Sequence, residues 1–271
     1  LGGLYEETYD KLILSPGAAP VRPPLEGIDM EGIFTMRNVN DTDRVKEYIE
    51  EHDVKRALIV GAGFIGLEMA ENLHESGIQV SVVEMADQVM TPVDYEIATV
   101  IHQHFKSKNV GLHLQEAVIA FRPAEDGIDV VLKSGLVLRV DIVLLSIGVR
   151  PDVKLAREAG LEIGETGGIK VNEFLQTSHP DIYAVGDAIE FPNPLSGRPA
   201  LAFLAGPANK QGRICADNVV NGNHQKYKGS IGTAIAKVFD LTVGTTGLSA
   251  KMLDRLQMPY KEVIVHGTSH A

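Results

Sequence analysis

The chain has one cysteine in 271 residues, no tryptophan, and only 6% aromatic residues. A single cysteine excludes an internal disulfide framework and any cysteine pair acting as a redox couple or zinc clamp. Basic residues are in deficit: 25 Lys and Arg stand against 36 Asp and Glu, a net charge of −11. That balance argues against a nucleic-acid partner or an anionic membrane surface. No apolar run reaches the roughly 20 residues a membrane-spanning helix needs, and there is no basic segment followed by an apolar one in the manner of a signal peptide. A cytoplasmic protein is the simplest expectation. No low-complexity segment or repeat of solenoid period occurs. The nine histidines are scattered. His102 and His104 are two apart on an expected helix and so do not share a face; His266 and His270 have no carboxylate beside them. No metal site is expected, and no nucleophile-elbow motif supports acyl transfer. The remaining composition, 44% hydrophobic and 23% charged, is that of a globular protein with ample core, long enough for one large or two ordinary domains.

Glycine, by contrast, is plentiful, with 27 residues, and three of them fall in the stretch that organises the rest. Residues 57–84 open A-L-I-V-G-A-G-F-I-G-L-E-M-A-E-N-L. Leu58, Ile59 and Val60 form a β-type run, after which Gly61, Gly63 and Gly66 stand at G-x-G-x-x-G spacing. Ile65, Met69, Ala70 and Leu73 mark a helical face, Gly77 closes the helix, and Val80, Val82 and Val83 lead to Glu84. A strand before the glycines, a helix after them and an acid about 20 residues on are the context the dinucleotide fingerprint requires. Gly61 permits the tight turn, Gly63 lets a pyrophosphate reach the backbone, and Gly66 lets helix and strand pack closely. The phosphates would meet unpaired N–H groups at the helix N-terminus. Glu84 stands where a carboxylate can accept both ribose hydroxyls. Its charge would repel a 2′-phosphate, and residues 85–91 contain no Lys or Arg to receive one, so NAD(H) is expected rather than NADP(H). The alternatives are a merely tight βα turn, another nucleotide-type ligand, and a solvated glutamate at a strand end.

Along the chain, residues 5–15 hold a strand candidate, and the Pro/Gly-rich stretch to Gly27 reads as a loop. Residues 41–51 form a surface helix with Asp41 or Thr42 near its cap. Residues 93–108 place Ile97, Ile101 and Phe105 on one helix face. Val110, Leu112 and Leu114 alternate as a strand. Three short β runs follow, residues 118–121, 129–133 and 136–140, with Ser134-Gly135 as a turn, giving an antiparallel meander. Residues 142–147 suit a strand buried in a parallel sheet. Residues 155–159 form a short helix, residues 169–171 a strand, and residues 181–185 another that delivers Gly186 and Asp187. A helix with Pro207 in its first turn runs to about Val220, ended by Gly222. Further β runs lie in residues 229–244, a short helix in residues 250–256, and a last strand in residues 261–266.

Three segments line up in order with the glycine motif: L-I-L-S-P-G-A at residues 12–18, L-L-S-I-G-V-R-P at 144–151, and D-I-Y-A-V-G-D at 181–187. Together they resemble the FAD-dependent pyridine nucleotide–disulfide oxidoreductases. Residues 204–213, L-A-G-P-A-N-K-Q-G-R, and residues 228–241 are similar to its coenzyme A disulfide reductase, persulfide reductase and NADH oxidase branch. The resemblance implies an α/β fold: a Rossmann-like NAD-binding domain carrying an antiparallel β-meander, inserted in a partial second α/β domain that binds FAD. It divides the chain into the end of a first FAD-domain segment (1–40), the NAD(H)-binding domain (41–160), a second FAD-domain segment (161–228) and the start of a dimerisation domain (229–271). The family's first FAD fingerprint and its redox-active cysteine are expected to precede Leu1, so the sequence reads as an internal fragment of a homodimeric parent.

The same resemblance assigns roles. Gly61, Gly63, Phe64, Ile65, Gly66, Glu84, Gly148, Asp187 and Ala205 are carried over as cofactor contacts, with Phe64 and Ile65 flanking the nicotinamide and Asp187 holding the ribityl–phosphate part of FAD. An N-cap or turn aspartate is the alternative for Asp187. Glu68 matches a glutamate near the nicotinamide and flavin, although the helix dipole alone could favour an acid there. Asn209 matches a contact to the thiol substrate, or is an ordinary helix-start residue. Pro207 opens a helix whose positive end would face the flavin's electron-rich edge. Cys215 lies in an apolar helix face and is read as a small hydrophobe; no catalytic residue is expected within the chain. The implied function is hydride transfer from NADH to FAD and on to a disulfide or persulfide such as coenzyme A disulfide. An NADH oxidase or peroxidase of the same branch is the alternative, and a non-catalytic NAD-binding module is the reading for the chain by itself, which is expected to bind NAD(H) without FAD and without turnover.

Overall fold

The computed structural model describes residues 5–267; His270 and the ends of the first and last expected domains lie outside the described residues. Short strands β1 (Leu12–Leu14), β2 (Ala18–Pro20) and β3 (Ile33–Thr35) precede α1 (Val39–Glu51). Asn38, not Asp41 or Thr42, is the N-cap of α1. Its side chain accepts from the Asp41 N–H at 3.1 Å while the Asp41 carboxylate accepts from the Asn38 N–H at 3.2 Å, a reciprocal capping box. A β-α-β unit follows as β4 (Arg56–Val60), α2 (Phe64–Glu75) and β5 (Gln79–Glu84), then α3 (Tyr95–Ser107) and β6 (Gly111–Leu114). The meander is β7 (Val118–Ala124), β8 (Gly127–Leu132) and β9 (Val137–Val140), and β10 (Ile142–Leu145) returns the chain to the sheet.

The second half comprises β11 (Val149–Pro151), α4 (Lys154–Glu158), β12 (Ile169–Lys170), β13 (Ile182–Ala184), a 3-10 turn at Gly186–Ala188, β14 (Ile189–Pro192), β15 (Pro199–Ala200), α5 (Ala205–Asn221), β16 (Ala234–Val238), β17 (Leu241–Thr245) and α6 (Ala250–Leu256). No helix among the described residues is long and apolar enough to cross a membrane.

Five strands form one parallel sheet in the order β3-β10-β4-β5-β6. Successive side chains of β4 point to opposite faces. Ala57 and Ile59 meet Leu67, Ala70, Ile101 and Phe105 on the helical side. Leu58 and Val60 meet Phe121, Val130 and Leu132 of the meander on the other. Burying each large apolar side chain contributes about 1.5–3 kcal/mol, so the sheet is fixed from both faces. All four residues of β10 are buried, which explains its unbroken apolar sequence. β3 lies within residues 1–40 yet forms an edge of this same sheet through parallel pairing with β10.

Several local expectations shift. The core face of α2 is Leu67, Ala70 and Leu73, with Met69 packed at its edge, while Ile65 is 44% exposed. On α3 it is Ala98 that joins Ile101 and Phe105 inside, and Ile97 faces out. The turn between β8 and β9 centres on Lys133 and Ser134, closed by the Gly135 N–H on the Leu132 carbonyl at 2.9 Å. β2 forms within the stretch read as a loop because β11 returns antiparallel beside it, Ala19 opposite Arg150. Residues 258–267 adopt no regular structure, so the last expected strand is absent; no strand among the described residues pairs with it.

A separate core gathers β13, β12, α4 and α5 around Tyr183, Leu175, Ile214 and Cys215. The β16–β17 hairpin packs instead against α2 and α3, where Ala236, Val238, Phe239 and Val243 complete the first core. Glu71 of α2 clasps it: the buried carboxylate accepts from Lys237 Nζ at 2.8 Å and from the Phe239 N–H at 2.9 Å.

Candidate functional site

The chain turns from β4 into α2 at Gly61, whose φ of +102° only glycine adopts without strain. A Cβ there would stand 2.4 Å from the Ser146 carbonyl oxygen. A Cβ on Gly66 would stand 2.0 Å from the Gly61 carbonyl oxygen, so the third glycine sets how closely α2 approaches the bend. Gly63 differs from both: nothing lies within 4 Å of where its side chain would be. It is the N-cap of α2 and makes no side-chain cap hydrogen bond. The bend thus offers open backbone and uncapped N–H groups, the arrangement that receives an anion such as a diphosphate.

Glu84 closes the side of the bend. Its Oε2 accepts from the Ala62 N–H at 2.8 Å and its Oε1 from the Ala86 N–H at 2.9 Å. Ala62 is gripped a second time, its carbonyl accepting from the Met90 N–H at 2.8 Å. The loop after β5 is held in turn by Gln88, whose amide donates to the Val93 carbonyl at 2.9 Å, and by His102, whose Nε2 accepts from the Val89 N–H at 3.2 Å. Burial lowers the His102 pKa, against an opposing pull from the Asp87 charge; the neutral ring is the form that can accept.

Gly61, Gly63, Phe64, Ile65, Glu84 and Gly148 line one cavity of about 780 Å³, within the size range of ligand sites. Gly148, at φ +99°, has open space where a side chain would be. Sequence reading missed Ser146, which also lines this cavity and whose Oγ donates to the Gly61 carbonyl at 2.9 Å. Its position at the carboxyl end of β10, beside the switch into Gly148, was the available signal. Met85, Val118 and Phe203 were missed too; the last two arrive by tertiary packing and carry no local mark. Phe64 also lines a second cavity of about 290 Å³, walled by Gly186, Phe191, Gln211 and Tyr227.

Other expected residues stand elsewhere. Glu68 is exposed, lies beyond the first turn of α2, and does not line the cavity. Asp187 follows β13 in the 3-10 turn, partly buried, and burial raises its carboxyl pKa. The Gly186 N–H donates to Gln211 Oε1 of α5 at 2.7 Å, tying this turn to the helix. Ala205 opens α5 and is exposed, as is Asn209 in the next turn; Pro207 sits in the first turn as expected. Cys215 is fully buried and its thiol is pushed up to about 11 by desolvation, which removes nucleophilic character at neutral pH. Among the described residues, no group of three or more His, Cys, Asp or Glu could hold a metal.

The profile of a family described as pyridine nucleotide-disulphide oxidoreductase matches residues 2–208. The chain is 36% identical over 259 residues to the NADH oxidase of Methanocaldococcus jannaschii, covering 95% of this chain and 57% of that protein. It is 33% identical to the coenzyme A disulfide reductase of Staphylococcus haemolyticus, covering 98% and 59% respectively. The chain therefore spans somewhat over half the length of these relatives. Among solved structures, the reduced CoADR-RHD of Bacillus anthracis superposes with a TM-score of 0.92 at 52% identity, over 95% of this chain and 46% of that one.

Proposed function

Because this chain belongs to the pyridine nucleotide-disulphide oxidoreductase family, we propose that it binds NAD(H) at the Gly61 bend and belongs to a flavoprotein oxidoreductase. In that reading hydride passes from NADH to FAD and on to a disulfide or persulfide, coenzyme A disulfide being the favoured substrate. The observation that carries it is one cavity lined by Gly61, Gly63, Glu84 and Gly148. Gly63 leaves the backbone open to the diphosphate, the uncapped N-terminus of α2 supplies N–H donors, and Glu84 accepts from the ribose. Phe64 and Ile65 flank the nicotinamide, at the side where the second cavity begins.

The residues near the second cavity fit the ribityl end of FAD: Asp187, half-buried, lies in the 3-10 turn that Gln211 ties to α5, and Ala205 opens that helix. A bound flavin would supply the electron relay between nicotinamide and acceptor. The protein's own share is to orient the rings, exclude water with the apolar walls Phe64, Phe191 and Phe203, and present Asn209 toward a thiol substrate. A homodimer in the cytoplasm completes the proposal, with residues 1–40 and 161–228 serving the flavin, residues 41–160 the nicotinamide dinucleotide, and residues 229–271 opening the dimerisation domain.

Likeness to an NADH oxidase favours a second reading, with oxygen or peroxide as acceptor. Calorimetry with NADH and NADPH tests the dinucleotide site, and the visible absorbance of the purified protein tests flavin. Steady-state NADH oxidation with coenzyme A disulfide, a persulfide, peroxide or oxygen assigns the acceptor. NADH binding with no turnover on any acceptor would leave the chain as an NAD-binding module; no NADH binding would sink the proposal.

A further inference from the structure

We propose that Glu84 is a positioning residue for the diphosphate bend, so that one carboxylate fixes both the choice of dinucleotide and the shape of the phosphate site. The inference rests on the NAD(H) reading for its ligand, but its structural basis is present in the protein by itself. The Ala62 N–H, in a residue 1% exposed, donates to Glu84 Oε2, and the Ala86 N–H donates to Oε1. Three other backbone groups of the bend already have partners. The Gly61 N–H donates to the Val83 carbonyl at 2.8 Å, the Gly61 carbonyl accepts from Ser146 Oγ, and the Ala62 carbonyl accepts from Met90. Glu84 is thus the acceptor the middle residue of the Gly-Ala-Gly bend depends on, and it reaches that residue from the next strand, 22 positions away.

An ionised carboxylate has about four acceptor sites. Two are taken by the Ala62 and Ala86 N–H groups, which leaves two, the number a ribose 2′,3′-diol requires. Glutamine at this position offers one acceptor oxygen, and its NH₂ group would confront a backbone N–H. Removal of the charge therefore does not simply relax discrimination against a 2′-phosphate; it also releases one corner of the bend on which every dinucleotide depends.

The test uses a dinucleotide whose adenosine ribose is 2′,3′-dideoxy, so that the diol contact is absent. If Glu84 served the ribose alone, Glu84→Gln and Glu84→Ala would bind this analogue as well as the parent chain does, or better, since a negative charge near the diphosphate has gone. With the bend held by Glu84, both variants bind it about tenfold more weakly, the equivalent of one hydrogen bond. Amide hydrogen exchange, measured without any dinucleotide on protein shown to be folded by circular dichroism, supplies the second readout: exchange at Ala62 or Ala86 rises about tenfold in Glu84→Gln. Unchanged exchange together with unweakened analogue binding overturns the inference. If the parent chain fails to bind NADH at all, the proposed function is lost, while the exchange rates still decide whether Glu84 holds the bend.

Discussion

Gly61 and Ser146 face each other across adjacent strands at a separation that admits no side chain on the first: a Cβ would fall 2.4 Å from the Ser146 carbonyl oxygen, while the Ser146 hydroxyl donates to the Gly61 carbonyl at 2.9 Å. Gly61→Ala must therefore adopt a left-handed backbone with a side chain and push against main chain. It is expected to lower stability by at least about 2 kcal/mol. Gly63→Ala meets no protein atom and is expected to cost about 1 kcal/mol or less, while weakening NADH by about tenfold or more. Chemical denaturation and calorimetry on the two variants check the contrast. Equal stability losses would show that the open side of the bend is not reserved for a ligand.

The clasp between α2 and the β16–β17 hairpin is unequal in its two arms. Glu71 is buried, whereas the Lys237 side chain is 68% exposed. Glu71→Ala leaves the Phe239 N–H, in a residue 3% exposed, without its acceptor, a loss of about 1–3 kcal/mol. Lys237→Ala removes only a solvent-screened partner and is expected to cost much less. Urea denaturation of both variants tests the ranking.

Protonation of His102 would abolish its acceptance of the Val89 N–H. Burial places its folded pKa below the ordinary 6.5, so its contribution to stability is present above that value and lost as pH falls through the folded pKa. Thermal melting between pH 5 and 7, as round limits about the reference pKa of roughly 6.5, is expected to fall more steeply in the parent chain than in His102→Gln, whose amide oxygen accepts without titrating. Parallel pH profiles would remove His102 from the account.

Cys215, with its thiol raised to about 11 and no exposed surface, is expected to resist Ellman's reagent in the folded chain at pH near 8, close to the roughly 8.5 of a free thiol. The same cysteine should react at once in denaturant. Fast labelling of the native protein would reopen a chemical role for this residue.

Local features were readable in the residues because they depend on neighbours in sequence. The glycine bend, α2, Glu84 and the buried run of β10 each follow from spacing and from a strand or helix period. Ile65 shares a helical face with Ala70 and Leu73 in the periodicity, but periodicity gives a face and not what covers it; at the start of α2 that face turns to the cavity. Ile97 yielded to Ala98 on α3 for a similar reason, a rotation of one position that an apolar count does not resolve. β2 appeared in a proline-rich stretch because its partner β11 lies 131 residues later in the register Ala19 to Arg150, and the last expected strand failed because pairing, not propensity, makes a strand. The pairing of Glu71 with Lys237, 166 positions apart, left no trace in either local sequence. At the site, the types of residue were legible, but the two backbone donors on Glu84 were not, since they arise from how two loops fold against each other.

Phe64 is the first residue of its helix, with no preceding turn to crowd its ring, and it contributes to the linings of both cavities. Phe203 does the same, so two aromatic rings are common to the walls of both spaces. Removing the Phe64 ring in Phe64→Ala is expected to enlarge both spaces where they adjoin, an added volume that xenon bound in a pressurised crystal would occupy.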